Sequence, residues 1–115
     1  MKHAFEASLR QNSGLTIIDL SGEINAFADH DLSSAYSQAE GLGSDTIVLN
    51  FSDVSYINST GIALIVGLLA RARKSNHTLA VIGLSDHYME IFEITRLVDF
   101  MTIYADESSL LAQPN

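Results

Sequence analysis

Cysteine is absent from the 115 residues, which excludes a disulfide framework, a thiol nucleophile and a zinc–cysteine site. Basic residues are few: six Lys and Arg stand against fourteen acids, for a formal charge of -8. Duplex nucleic acid is disfavoured as a direct partner, because neutralising phosphates draws on clustered Lys and Arg. An anionic membrane surface is disfavoured on the same ground. Charged residues make up only 17% and hydrophobic ones 47%, so a disordered polyelectrolyte is excluded as well. Proline occurs once, at Pro114, and no repeat, linker or low-complexity run interrupts the chain. The longest apolar run, Gly61 to Ala70, reaches about half of the ~20 residues that a bilayer span needs. The opening MKHAFEASLRQN holds no apolar stretch of secretory type, so a cytoplasmic location is expected. What is there reads as one acidic globular domain over residues 1–115, with its core at about 4–112.

Hydrophobic periodicity supplies the elements. Phe5, Ala7 and Leu9 alternate with Glu6, Ser8 and Arg10, the period-2 pattern of a half-buried strand. Asn12-Ser13-Gly14 is turn chemistry and Leu15 to Leu20 is a second β-type run, which together predict a hairpin. Leu32, Ala35, Tyr36 and Ala39 recur at helical spacing from Asp31 onward, and Gly41 and Gly43 close that helix. Thr46 to Phe51 is short, β-branched and nearly all apolar, as expected of a strand covered on both faces. Asp53 to Asn58 is read as its connection to a helix from about Thr60 to Lys74, whose last turn carries Arg71, Arg73 and Lys74. Asn76 and His77 make a turn before a strand at Thr78 to Ile82. Ser85 reads as the N-cap of a helix bearing Met89, Phe92 and Ile94. Met101 to Tyr104 gives a short last strand, and Asp106 opens a final helical turn. The order predicts an α/β fold: a mixed sheet of about five strands, an N-terminal hairpin then parallel strands, covered by about four helices.

Enzyme signatures are missing. No Gly-x-Ser-x-Gly elbow, phosphate-binding Gly-rich loop or dinucleotide fingerprint occurs. His3, His30, His77 and His87 are scattered, and Asp29-His30-Asp31 reads as a solvated helix start rather than a metal set. No catalytic residue, metal or cofactor is therefore assigned.

Asp53-Val54-Ser55-Tyr56-Ile57-Asn58-Ser59-Thr60-Gly61 stands out, because it leads from a buried strand into a helix and places two hydroxyls at the helix N-terminus. Capping by Ser59 is the plain structural reading, although Ile62 rather than Glu or Gln stands three residues on, so no capping box supports it. The helix that follows has no polar residue from Gly61 to Ala70. It is either central and buried or offers an apolar face to a partner. Gly67 inside it predicts close approach by another backbone, that of the sheet ahead of that of a bound protein, and the first turn predicts partner contact.

These residues resemble the STAS domain family, and within it the single-domain anti-sigma factor antagonists of bacteria. The nine residues from Asp53 to Gly61 are similar to that family's strand-to-helix signature ending in Asp-Ser-Ser/Thr-Gly. Leu20-Ser21-Gly22-Glu23-Ile24-Asn25 is similar to its Gly-Glu-Leu/Ile-Asp, and Ile91 to Leu97 to its late helix and turn. Asn25 and Asn58 stand where the family has Asp, and Arg96 where it often has Gly. The resemblance implies a non-enzymatic partner switch. The unphosphorylated protein binds a serine/threonine kinase of the anti-sigma type, phosphorylation at Ser59 releases it, and a PPM-type serine phosphatase restores it. Thr60 is a secondary acceptor, and Asn25, Asn58, Ser59, Thr60, Gly61 and Ile62 form the implied contact surface of a monomer or weak dimer. The alternative is a STAS scaffold, or a subunit of a signalling or transport complex, that binds without phosphorylation. Between Gln11 and Ala70 the acids Asp19, Glu23, Asp29, Asp31, Glu40, Asp45 and Asp53 meet no base in sequence. That asymmetry predicts a negative field around Ser59, suited to a basic protein partner.

Overall fold

The computed structural model describes residues 4–112; His3 and Pro114 lie outside them. Strand β1 (Glu6–Asn12) and strand β2 (Leu15–Ile24) form the expected antiparallel hairpin. Its turn needs two left-handed residues in succession, Ser13 at φ 53° and Gly14 at φ 83°. Then follow α1 (Asp29–Glu40), β3 (Thr46–Ile57), α2 (Ser59–Lys74), β4 (Thr78–Ile82), α3 (Asp86–Ile94), β5 (Thr102–Tyr104) and α4 (Glu107–Leu111). Short 3-10 turns sit at Ala26–Ala28 and Leu97–Asp99. The sheet runs in the order β1-β2-β3-β4-β5, parallel from β2 onward.

Two apolar layers hold the sheet. On one face Ile18, Leu20, Ile47, Leu49 and Val81 pack against Leu32 and Tyr36 of α1, Ile65 and Leu69 of α2, and Phe92 of α3. On the other, Ile17, Val48, Ala80 and Ile82 are covered by Leu110 of α4. Arg10 fastens α4 there: its guanidinium donates to both carboxylate oxygens of Asp19 (2.6 and 3.1 Å) and of Glu107 (3.0 and 2.6 Å). Across α1 and α2, Arg71 donates to Ser33, Ser37 and Glu40 and lies 4.9 Å from the centre of the Tyr36 ring.

Three readings change. Strand β3 does not stop at Phe51 but continues to Ile57, so Asp53 to Ile57 is strand rather than connection. Beyond Asn50 it has no partner in β4 and pairs only with β2, through two register shifts, so its second half lacks a continuous apolar run. Helix α1 starts at Asp29, two residues before its first expected position. Gly67 meets no neighbouring backbone: a Cβ there would have nothing within 4 Å, because that face of α2 is open. Arg96, in the position where the family often carries Gly, adopts a left-handed φ of 66° and donates to Asp99 at 2.8 Å.

Candidate functional site

The site lies at the carboxyl ends of β2 and β3, where the chain turns into α2. The buried N–H of Ile57, last residue of β3, donates to the Tyr88 hydroxyl of α3 at 2.8 Å. Asn58 follows in extended conformation, and its own N–H donates to the Ile24 carbonyl at 3.2 Å. Its side-chain Oδ1 then accepts the Gly61 N–H at 2.8 Å, and its carbonyl accepts the Ile62 N–H at 3.0 Å. Asn58 is therefore the N-cap of α2, and the capping role assigned to Ser59 is corrected.

That correction frees the hydroxyl. Ser59 is the first residue of α2 and is exposed, and its Oγ has no hydrogen-bond partner among the described residues. Thr60 is exposed beside it and likewise unbonded. Gly61 is buried where no side chain fits: a Cβ would lie 2.9 Å from Ile57 Cγ2 and closer still to the Ile24 carbonyl oxygen. Ile62 is half-buried and packs on the core. Asn25 plays the part of Asn58 one loop away, accepting the Phe27 N–H at 2.9 Å and so capping the 3-10 turn. Ile24 joins the two caps, since Asn58 bonds to its carbonyl and Asn25 is the next residue. The amides thus do what a carboxylate would do at an N-cap, without its charge.

The surroundings are apolar as well as polar. Phe27 is 94% exposed on its capped turn, Tyr56 52% and Val66 43%, with Ala63, Gly67 and Ala70 open along α2. Phe27 was passed over in the sequence, where it stands as one aromatic in a polar loop. The Tyr88 tether carried no sequence signal, because it depends on a contact thirty-one residues away. The negative field is narrower than the sequence implies. Asp19 and Glu40 are paired with Arg10 and Arg71, and Asp45 precedes β3 at the far end of the strand. Asp29, His30 and Asp31 are exposed in the first turn of α1, and no group of three metal-ligating side chains gathers among the described residues.

A helix N-terminus with one capped amide and a free hydroxyl on its first residue, edged by exposed apolar side chains, is electrostatically suited to an anionic group. Residues 6–110 match the STAS domain model, and the chain belongs to that family. A curated relative, the anti-sigma-B factor antagonist of Staphylococcus aureus, is 31% identical over 86 residues, covering 75% of this chain and 80% of its own length. An anti-sigma factor antagonist from Mycobacterium paratuberculosis has the same fold at a TM-score of 0.80, with 17% identity over 94% of this chain and 92% of that one. The unphosphorylated anti-sigma factor antagonist SpoIIAA matches at 0.69, with 19% identity and 94% of each chain covered. No helix among the described residues is long and apolar enough to cross a membrane.

Proposed function

We propose that this chain is a non-enzymatic anti-sigma factor antagonist of a bacterial partner-switching pathway, acting in the cytoplasm with Ser59 as its switch. Unmodified, it docks through Phe27, Asn25, Asn58 and the first turn of α2 on a serine kinase of the anti-sigma type. Phosphorylation of Ser59 by that kinase ends the complex, and a PPM-type serine phosphatase resets it. One observation carries the reading: the Ser59 hydroxyl is exposed and unbonded at the start of α2 while Asn58 does the capping. The fold therefore gives up no hydrogen bond of that hydroxyl when it is modified. A phosphate adds about -1.5 to -2 charges and hydrated bulk at the centre of the docking face. Membership of the STAS family and the name carried by the staphylococcal relative support the same reading.

The test is incubation with the anti-sigma kinase of the same genome and Mg-ATP, followed by peptide mass spectrometry. One phosphate on Ser59 is expected, and phosphate elsewhere with Ser59 unmodified refutes the proposal. Ser59→Ala should retain kinase binding and Ser59→Asp should weaken it; equal affinities would remove the electrostatic basis of the switch.

A further inference from the structure

We infer that Phe27 is the anchor by which the kinase recognises this chain, its ring entering an apolar pocket with a basic rim on that partner. The inference rests on the docking proposed for the Ser59 face and names the residue that carries most of its affinity. Phe27 is 94% exposed, ahead of every other large hydrophobic residue described, and its ring meets no other ring and no cation among the described residues. Single hydrophobic residues are common on surfaces, and it is the backbone under Phe27 that sets it apart. The side chain of Asn25 accepts the Phe27 N–H at 2.9 Å, and the Asn25 carbonyl accepts the Ala28 N–H at 3.0 Å. Ala28 itself is buried in the core. The turn is thus fixed on both sides of a ring left in water, so only the side-chain torsions of Phe27 remain to be ordered when a partner closes over it.

Its place in the fold ties the ring to the switch. Asn58 bonds to the carbonyl of Ile24, the residue before Asn25, and the 3-10 turn lies beside α2. A partner seated over the Ser59 hydroxyl therefore covers Phe27 as well. Aromatic side chains taken into a pocket carry a disproportionate share of the affinity of protein interfaces. Asp29, exposed two residues further on, has no ion-pair partner among the described residues, which suits Lys or Arg at the rim of the receiving pocket. A second copy of this chain is the poorer occupant, because it brings another net charge of -8.

The test measures binding of the full chain to the anti-sigma kinase of the same genome by calorimetry in Mg-ADP, and phosphorylation of Ser59 in Mg-ATP. Phe27→Ala should weaken binding about thirtyfold and raise KM for phosphorylation with kcat unchanged. Its melting temperature should stay within about 3 °C of the parent, because the ring is exposed. Phe27→Leu, which keeps the apolar bulk, should bind within about fivefold of the parent. Asn25→Ala should weaken binding about threefold in the parent and not at all in the Phe27→Ala background, since that cap positions the ring. Asp29→Asn should cost about twofold at low salt and less as salt rises. If Phe27→Ala binds within about threefold of a parent that is phosphorylated on Ser59, this inference falls and the switch stands. A parent that neither binds nor is phosphorylated overturns both. A dimer of the parent that Phe27→Ala abolishes would assign the ring to a second copy, and so overturns the inference as well.

Discussion

Asn58 and Ser59 are adjacent, similar in size and both common at N-caps, yet the structure gives them opposite roles. Asn58→Ala removes the Oδ1 that accepts the Gly61 N–H at 2.8 Å, on the half-buried side of the turn. Loss of an N-cap costs about 1 kcal/mol, within a range of about 0.5–2. For a chain of this length that is a fall of about 4 °C in the melting temperature. Ser59→Ala removes an exposed hydroxyl with no partner among the described residues, so its effect should stay within about 0.5 kcal/mol. Asn58→Asp keeps the acceptor and adds a charge that the positive end of α2 favours, so it should equal the parent or gain about 0.3–1 kcal/mol at low salt. Urea titrations of the three variants, read by far-ultraviolet circular dichroism, give the ranking. A loss in Ser59→Ala equal to that in Asn58→Ala would mean that Ser59 caps the helix. Its hydroxyl would then be structural, and the reasoning from a free acceptor would fail.

Two further outcomes follow from the same coordinates. Within α2, the same glycine-to-alanine change should have opposite signs at two positions. Gly67→Ala fills open space and should stabilise by about 1 kcal/mol, whereas Gly61→Ala drives a methyl into the Ile24 carbonyl and should cost about 3 kcal/mol. Equal signs in urea titration would refute the close approach at Gly61. The second outcome concerns acid. Hydrogen bonds from Arg10 and then Asn12 hold the Glu107 carboxyl at about 2, below its ordinary 4.5. Its folded pKa is depressed, so its contribution is present above about 4.5 and is lost as the pH falls towards about 2. Stability measured across that window should fall more steeply in the parent than in Glu107→Gln, and parallel curves would remove the Arg10–Glu107 clamp from the account.

What the sequence showed plainly was periodicity backed by burial on a fixed face. The hairpin, the apolar first half of β3, strand β4 and the buried positions of α1 all carry that signal. The second half of β3 does not, because Ser52, Asp53, Ser55 and Tyr56 project beyond β4 and face solvent. The cap frame was ambiguous for a chemical reason: Asn58, Ser59 and Thr60 are three good capping residues in a row. Tertiary contact favours Asn58, whose N–H donates to the Ile24 carbonyl while buried Gly61 lies against the same group. Gly67 misled because a glycine inside a helix reads as close packing, whereas here it is simply exposed. The acid count misled in a similar way. Arg10, just before the stretch without Lys or Arg, and Arg71, just after it, fold back onto Asp19 and Glu40.

The separation of roles at this turn would let the proposed switch at Ser59 operate without destabilising a small fold. Asn58 and Asn25 hold the two loops, Gly61 allows them to meet at Ile24, and Tyr88 ties down the end of β3; none of these bonds passes through Ser59. A phosphate on Ser59 would stay in water on the free chain, next to a helix N-terminus that tolerates it. In a complex the same phosphate would have to be desolvated against the partner or hold the two surfaces apart. Desolvating an ion without a good partner costs several kcal/mol. Each ~1.4 kcal/mol is a tenfold change in affinity, so ~3 kcal/mol suffices for a release of about a hundredfold. Neutral amides rather than carboxylates at positions 25 and 58 also lower the repulsion that a phosphate meets on its own chain. On the proposed switch, the cost of modification would therefore fall almost wholly on the complex.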